Sequence, residues 1–229
     1  PLASMYFMQI VWGLRKEPFI GVRPLNHAKE APTTGAWQFT NAIDSWSWQG
    51  YEGEKAVVEV YANSASVRLL LNGKEIANKP VKKYKTLFKL PYQPGTLTAE
   101  ALDERANVIS SHSLTTAGEE TVLRVTPDKM VLCANNQALC YLPIEFTDKA
   151  GNLKPYMEQR VEVAVAGAAT LAGFGSALCK TNEVFDKPYH QSYRGRCLAV
   201  LRAGSTPGKA KVTVTSAGME PVTIEVEVQ

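Results

Sequence analysis

No apolar run in the 229 residues approaches the ~20 residues of a membrane-spanning helix, so a helical span is not expected. The opening PLASMYFMQIVW has the apolar content of a secretory leader, but it lacks a basic segment and Gln9 interrupts it. It starts on Pro rather than Met, and the expectation is that the chain begins inside a longer protein. Clustered charge is missing as well. The 25 basic and 22 acidic residues are spread along the chain, and KKYK at 82–85 is the densest basic stretch. Nucleic acid is therefore not an expected partner, and KKYK reads as a solvated strand edge guarded by its lysines.

The side chains that usually carry chemistry are sparse or badly spaced. The four cysteines, Cys133, Cys140, Cys179 and Cys197, all lie in the second half, without CxxC or Cys/His spacing. That excludes the usual structural metal patterns, and buried free thiols read better than any of the three possible pairings. His27, His112 and His190 are far apart and no GxSxG elbow occurs, so each histidine reads as structural or superficial. GFGS at 173–176 has the glycines of a tight turn but no helix pattern after it, so it is not expected to cradle phosphate. Hydrolysis of a sugar needs two carboxylates across the scissile bond, and no such pair stands out. Asn182-Glu183 is the nearest candidate, but in CKTNEVFDK it reads as part of a loop. No catalytic residue, metal or cofactor is expected from the residues themselves.

What the chain does contain is the rhythm of strands. Its 45% hydrophobic and 21% charged residues are ordinary for a globular protein. SMYFMQIVWGL (4–14) predicts a short apolar helix closed by Gly13, one that needs another surface to cover it. Afterwards KAVVEVYAN (55–63) alternates Val58, Val60 and Ala62 against Val57, Glu59 and Tyr61. In SVRLLLNGKEIAN (66–78), Asn72-Gly73 separates two strand-like runs, the strongest short hairpin signal. GTLTAEALDERANVISSHSLTT (95–116) predicts two more strands. The small polar TTAGEE (115–120) reads as a junction, beyond which the rhythm restarts in TVLRVTPDKMVLC, YLPIEFTD, RVEVAVAG, CLAVLRAG, KAKVTVTSAG and VTIEVEVQ. The expected fold is all-β: two consecutive immunoglobulin-like antiparallel β-sandwiches after a short helical or linker segment. The expected boundaries are 1–18, 19–117 and 118–229. The Cys…Trp…Cys pattern of antibody domains is missing, since no tryptophan follows Trp48, so only the architecture is inferred.

One segment invites a binding role. DSWSWQGYEG (44–53) holds Trp46, Trp48 and Tyr51, and in an extended chain the two indoles share a face. Such rings can stack on a sugar or form an interface. Tryptophan is more often buried, however, and Trp37, Phe39 and Ile43 supply apolar partners, so packing is the favoured reading. Trp46, Trp48 and Tyr51 remain the carbohydrate-binding candidates.

The order of segments resembles the C-terminal part of glycoside hydrolase family 2 enzymes of the bacterial β-galactosidase type. YFMQIVWGLRKEPFIGVRPLNH (6–27) resembles the exit from the catalytic barrel. SWSWQGYEGEKAVVEVYANSASVRLLLNGKEI (45–76) resembles the family's Trp-x-Trp, Glu-Gly, Val-x-Val-Tyr and Leu-x-Leu-Asn-Gly-Lys series. PGTLTAEALD and LTTAG continue it, and FTDKAGNLKP, GFGS and YRGRCLAVLRAG resemble the terminal immunoglobulin-like domain. The resemblance implies a parent enzyme that removes terminal sugars by a retaining two-glutamate mechanism, in a barrel upstream of Pro1. None of the family's catalytic residues maps onto this chain. The expected role is that of a non-catalytic accessory fragment that supports the barrel on the same polypeptide, shapes access to it, or mediates assembly as a homo-oligomer. A carbohydrate-binding module and a bacterial immunoglobulin-like adhesion array are the other readings. A bacterial, periplasmic or secreted setting is favoured over a cytoplasmic one.

Overall fold

The computed structural model describes residues 3–28, 39–178 and 181–229. It divides into two compact units between Thr116 and Ala117. Trp37 and Cys179 lie outside the described residues.

The first unit begins with helix α1 (Ala3–Val11). Its end is chemically defined. Leu14 N–H donates to the Gln9 carbonyl and Gly13 N–H to the Ile10 carbonyl, with Gly13 at φ +71°. This is a Schellman cap, and the left-handed residue that it needs is supplied by glycine at no side-chain cost. The helix thus stops at Val11, and Trp12 to Leu14 belong to the cap rather than to the helix as expected.

Seven strands follow: β1 (Phe19–Val22), β2 (Lys55–Tyr61), β3 (Ser66–Leu71), β4 (Lys74–Pro80), β5 (Lys85–Pro91), β6 (Thr96–Leu102) and β7 (Val108–Thr115). They form a three-stranded sheet, β1-β2-β5, and a four-stranded sheet, β4-β3-β6-β7. All pairings within these two sheets are antiparallel. Alternation builds the core between them. Val58 and Val60 of β2 and Phe88 and Leu90 of β5 meet Val67 and Leu69 of β3 and Leu97 and Ala99 of β6. Each such aliphatic side chain removed from water contributes about 1.5–3 kcal/mol, enough to fix which face points inward. Asn72 and Gly73, at φ 52° and 77°, turn β3 into β4 as the Asn-Gly pair predicts. β4 is an edge strand with mostly exposed side chains, including Lys74, Glu75 and Asn78.

The second unit contains β8 (Val122–Val125), β9 (Val131–Leu132), β10 (Leu139–Thr147), β11 (Arg160–Gly167), β12 (Ala169–Gly175), β13 (Tyr189–Gln191), β14 (Arg196–Ala203), β15 (Gly208–Ser216) and β16 (Val222–Val228). The sheet orders are β12-β14-β10-β8 and β13-β11-β15-β16-β9. Pairing is antiparallel except for the two-residue β16–β9 contact, which is parallel. Cys140, Leu142, Ile144 and Phe146 from β10 and Ala199 and Leu201 from β14 face Val161, Val163, Val212, Val214 and Val226 across the core. A buried ammonium sits at one edge. Lys154, 0% exposed, donates to the Glu119 carbonyl at 2.7 Å and Thr121 Oγ1 at 2.8 Å, pinning the start of the unit to the loop after β10. The fold is all-β, as the strand rhythm predicts, with one short helix.

Candidate functional site

The two tryptophans of DSWSWQGYEG are both 0% exposed and belong to the first unit's core. Neither indole offers a face to solvent. The segment is not a strand. It is held by bonds to its surroundings: Trp46 Nε1 donates to the Gln93 carbonyl at 2.9 Å, and Thr116 Oγ1 donates to the Trp46 carbonyl at 2.7 Å. Trp48 N–H donates to the Tyr92 hydroxyl at 3.1 Å, and the Tyr92 ring meets Trp46 edge-on at 5.0 Å. Trp48 Nε1 is buried without a bonding partner. Tyr51 is half-buried and packs on the same core. This burial supports the packing reading of the pair.

His27 and His112 lie in the first unit and His190 in the second. The His112 ring stacks on Phe19, and burial together with the nearby Arg15 charge lowers its pKa. His190 is fully buried. Its Nδ1 lies 3.1 Å from Glu183 Oε2 and 2.9 Å from the Gln191 carbonyl, and Phe185 stacks over the ring. Glu183 Oε1 accepts from Gln191 N–H at 2.9 Å. Glu183 therefore ties its loop to β13. Cys140 and Cys197 are buried free thiols, whereas Cys133 is exposed, which corrects the expectation of burial for that residue. Burial raises the Cys140 pKa and pushes that of Cys197 up to about 12, so neither is a ready nucleophile. Among the described residues no cluster of His, Cys, Asp and Glu could hold a metal ion.

The most elaborate polar arrangement was not singled out from the sequence. Glu59 of β2 has a side chain that is 0% exposed, yet four side chains satisfy it. Oε1 accepts from Arg23 Nε at 2.8 Å and Thr40 Oγ1 at 3.0 Å. Oε2 accepts from Tyr61 Oη at 2.8 Å and Lys85 Nζ at 2.6 Å. Burial alone would raise its pKa, but the bonds from Lys85, Tyr61 and Arg23 outweigh it and hold the carboxyl below the ordinary value of 4.5. Burial and the neighbouring Glu59 charge together raise the Tyr61 phenol pKa. Rings surround this carboxylate. Phe7 of α1 meets Tyr61 edge-on at 5.4 Å and Phe39 at 5.1 Å, while Phe19 stacks between Tyr6 and Tyr61. The Lys85 ammonium sits 5.6 Å from the Tyr61 ring centre and 5.9 Å from that of Phe39. The only hint in the sequence was a glutamate in the middle of a β-branched run.

These sandwich units define a class of protein, all-β domains of the immunoglobulin-like kind, and comparison with known proteins narrows it. Residues 123–225 match glycoside hydrolase family 2 C-terminal domain 5, and residues 53–109 match a domain of unknown function, DUF4982. The chain is 29% identical over 195 residues to the beta-galactosidase BoGH2A of Bacteroides ovatus, covering 84% of this chain and 23% of that protein. A solved glycosyl hydrolase family 2 member from Bacteroides cellulosilyticus superimposes with a TM-score of 0.85 at 26% identity, covering 98% of this chain and 30% of that one. A beta-glycosidase from Bacteroides vulgatus shares the fold, with a TM-score of 0.78 at 21% identity, over 100% of this chain and 27% of that one. Together these matches indicate a C-terminal fragment of a glycoside hydrolase family 2 enzyme. It spans less than a third of the length of these relatives.

Proposed function

We propose that the chain is a non-catalytic accessory portion of a glycoside hydrolase, whose two sandwich units support a catalytic barrel on the same polypeptide. The observation that carries this reading is the coverage: nearly all of this chain aligns with less than a third of glycosidases that contain it. By this reading the parent cleaves terminal β-galactosides by a retaining mechanism, and both of its catalytic glutamates lie outside this chain. The surface of α1 agrees with a supporting role. Its inner side joins the Phe19 and Tyr61 cluster, whereas Met5, Met8 and the following Trp12 and Leu14 stay exposed, an apolar face suited to a neighbouring domain.

The test is direct. The purified chain should give no turnover of an aryl β-galactoside above a heat-denatured control. The chain joined to its native preceding sequence should hydrolyse the substrate. Turnover by the isolated chain would overturn the accessory reading.

A further inference from the structure

We propose that the first unit binds a small amphiphilic anion, a flat apolar body carrying a carboxylate or sulfate, in a cleft between α1, Phe39 and the connection that carries the chain from β4 in one sheet to β5 in the other. The cleft has a volume of about 600 Å³, within the range of small-molecule sites. Phe7, Phe39, Pro80 and Leu87 supply apolar walls. Lys79, Lys82, Lys83 and Lys85 add four cationic heads on aliphatic stems, and Thr86 completes the lining. The described lining contains no aspartate, glutamate, asparagine or glutamine. Those side chains are the ones that read sugar hydroxyls, so a neutral saccharide finds few partners here. An apolar body with one anionic end finds both of its requirements met.

Two of the lysines are fixed before any ligand arrives. Lys85 Nζ is held by the buried Glu59 carboxylate and sits beside the Phe39 and Tyr61 rings. Lys79 Nζ donates to the Leu87 carbonyl at 2.8 Å and lies 5.0 Å from the Phe88 ring centre. The ammonium groups of Lys82 and Lys83 have no ion-pair or hydrogen-bond partner among the described residues, and both side chains are exposed. They are the free charges at the rim. Glu59 is already bonded by four side chains, so it does not neutralise them. The apolar walls and the fixed stems of Lys79 and Lys85 need little ordering on binding, and the unpaired Lys82 and Lys83 supply the attraction for an anion.

The turn between β4 and β5 carries a second sign of purpose. Lys82 and Lys85 exchange both backbone bonds at 3.1 Å, so Lys83 and Tyr84 form a two-residue turn at φ 50° and 62°. Bulky residues adopt this region at a steric cost, and such costs concentrate at functional sites. Tyr84 packs on the aromatic cluster and Lys83 is left at the rim.

The test uses the full 229-residue chain and calorimetric titration with 2-naphthoate, its neutral counterpart 2-naphthamide, and galacturonate. By the affinity typical of ligands this small, 2-naphthoate should bind with a Kd on the order of 0.1–1 mM. The amide and galacturonate should each bind at least about tenfold more weakly, since one lacks the charge and the other the apolar face. The paired substitution Lys82→Gln with Lys83→Gln should weaken naphthoate binding about tenfold at an unchanged melting temperature, and added salt should weaken binding to the parent chain. Equal binding of naphthoate and the amide would overturn the proposal. So would tighter binding of galacturonate, an unaffected double variant, or no heat with naphthoate at millimolar concentration. None of these outcomes bears on the accessory role, which is tested by turnover.

Discussion

The two faces of the β1-β2-β5 sheet are both covered, but by different means. One face presents Ile20, Val22, Val58 and Val60 to a dry core that contains Trp46 and Trp48. The other presents Phe19, Glu59 and Tyr61 to α1 and the segment around Thr40 to Ala42. The inner face is held by apolar area, which tolerates rearrangement. The outer face is held by rings arranged around one carboxylate, whose cost of burial is offset only while all four donors stay in place. Covering the second face of a small sheet with polar chemistry yields a more specific surface but a more fragile one.

The largest expected effect breaks the outer face. Glu59→Ala should destabilise the first unit by about 2–3 kcal/mol, because it leaves the Tyr61 and Thr40 hydroxyls without their acceptor and the partly exposed Arg23 and Lys85 without a counter-charge. Urea denaturation followed by tryptophan fluorescence reads this, since Trp46 and Trp48 lie in the same unit. The same residue sets an acid limit. Its folded pKa lies below 4.5, so between that value and 4.5 the unfolded chain binds more protons than the folded one. The stability contributed by Glu59 is therefore present above pH 4.5 and is lost as pH falls through the folded value. Glu59→Gln should flatten that part of the acid-denaturation profile, and an unchanged slope would show that the carboxylate contributes nothing there.

On the inner face the two indoles separate from one another. Trp46→Phe should cost about 2–3 kcal/mol, combining lost area with an orphaned Gln93 carbonyl. Trp48→Phe should cost less, about 1–2 kcal/mol, because Trp48 Nε1 is already buried without a partner and its removal relieves that burden. Thermal melts of the two variants decide the order. Equal losses would mean that ring volume alone matters at this core.

Much of the inner arrangement was legible in the sequence, because period-two alternation and turn chemistry are local signals. Val67, Leu69 and Leu71 alternate inward as their spacing predicts, and Asn72-Gly73 turns the chain between them and β4. The outer face was not legible. Alternation of Val58 and Val60 against Glu59 and Tyr61 predicts one solvated side, yet both sides are buried. The covering elements come from distant parts of the chain, and the partners of Glu59 range from Arg23 to Lys85. Lys154 is illegible for the same reason: a lysine in FTDKAGNLKP reads as a loop charge until Glu119 and Thr121 fold over it. Burial of the tryptophan pair was favoured from composition alone, but its bonds to Gln93, Thr116 and Tyr92 were not foreseeable.

The smallest expected effect sharpens the contrast at two neighbouring turns. β3–β4 and β4–β5 each turn through two residues at positive φ, the first with Asn72-Gly73 and the second with Lys83-Tyr84. Asparagine and glycine suit that backbone, whereas lysine and tyrosine occupy it under strain. Lys83→Asn should therefore stabilise the first unit by about 0.5–1 kcal/mol, since asparagine adopts a left-handed backbone more readily. The same change removes one of the two unpaired rim charges, so it should also weaken 2-naphthoate binding. A higher melting temperature together with a weaker ligand is the signature of a turn whose residues serve the cleft at the expense of the fold. A melting temperature that stays level or falls would place the strain elsewhere and leave KKYK as the solvated strand edge it first resembled.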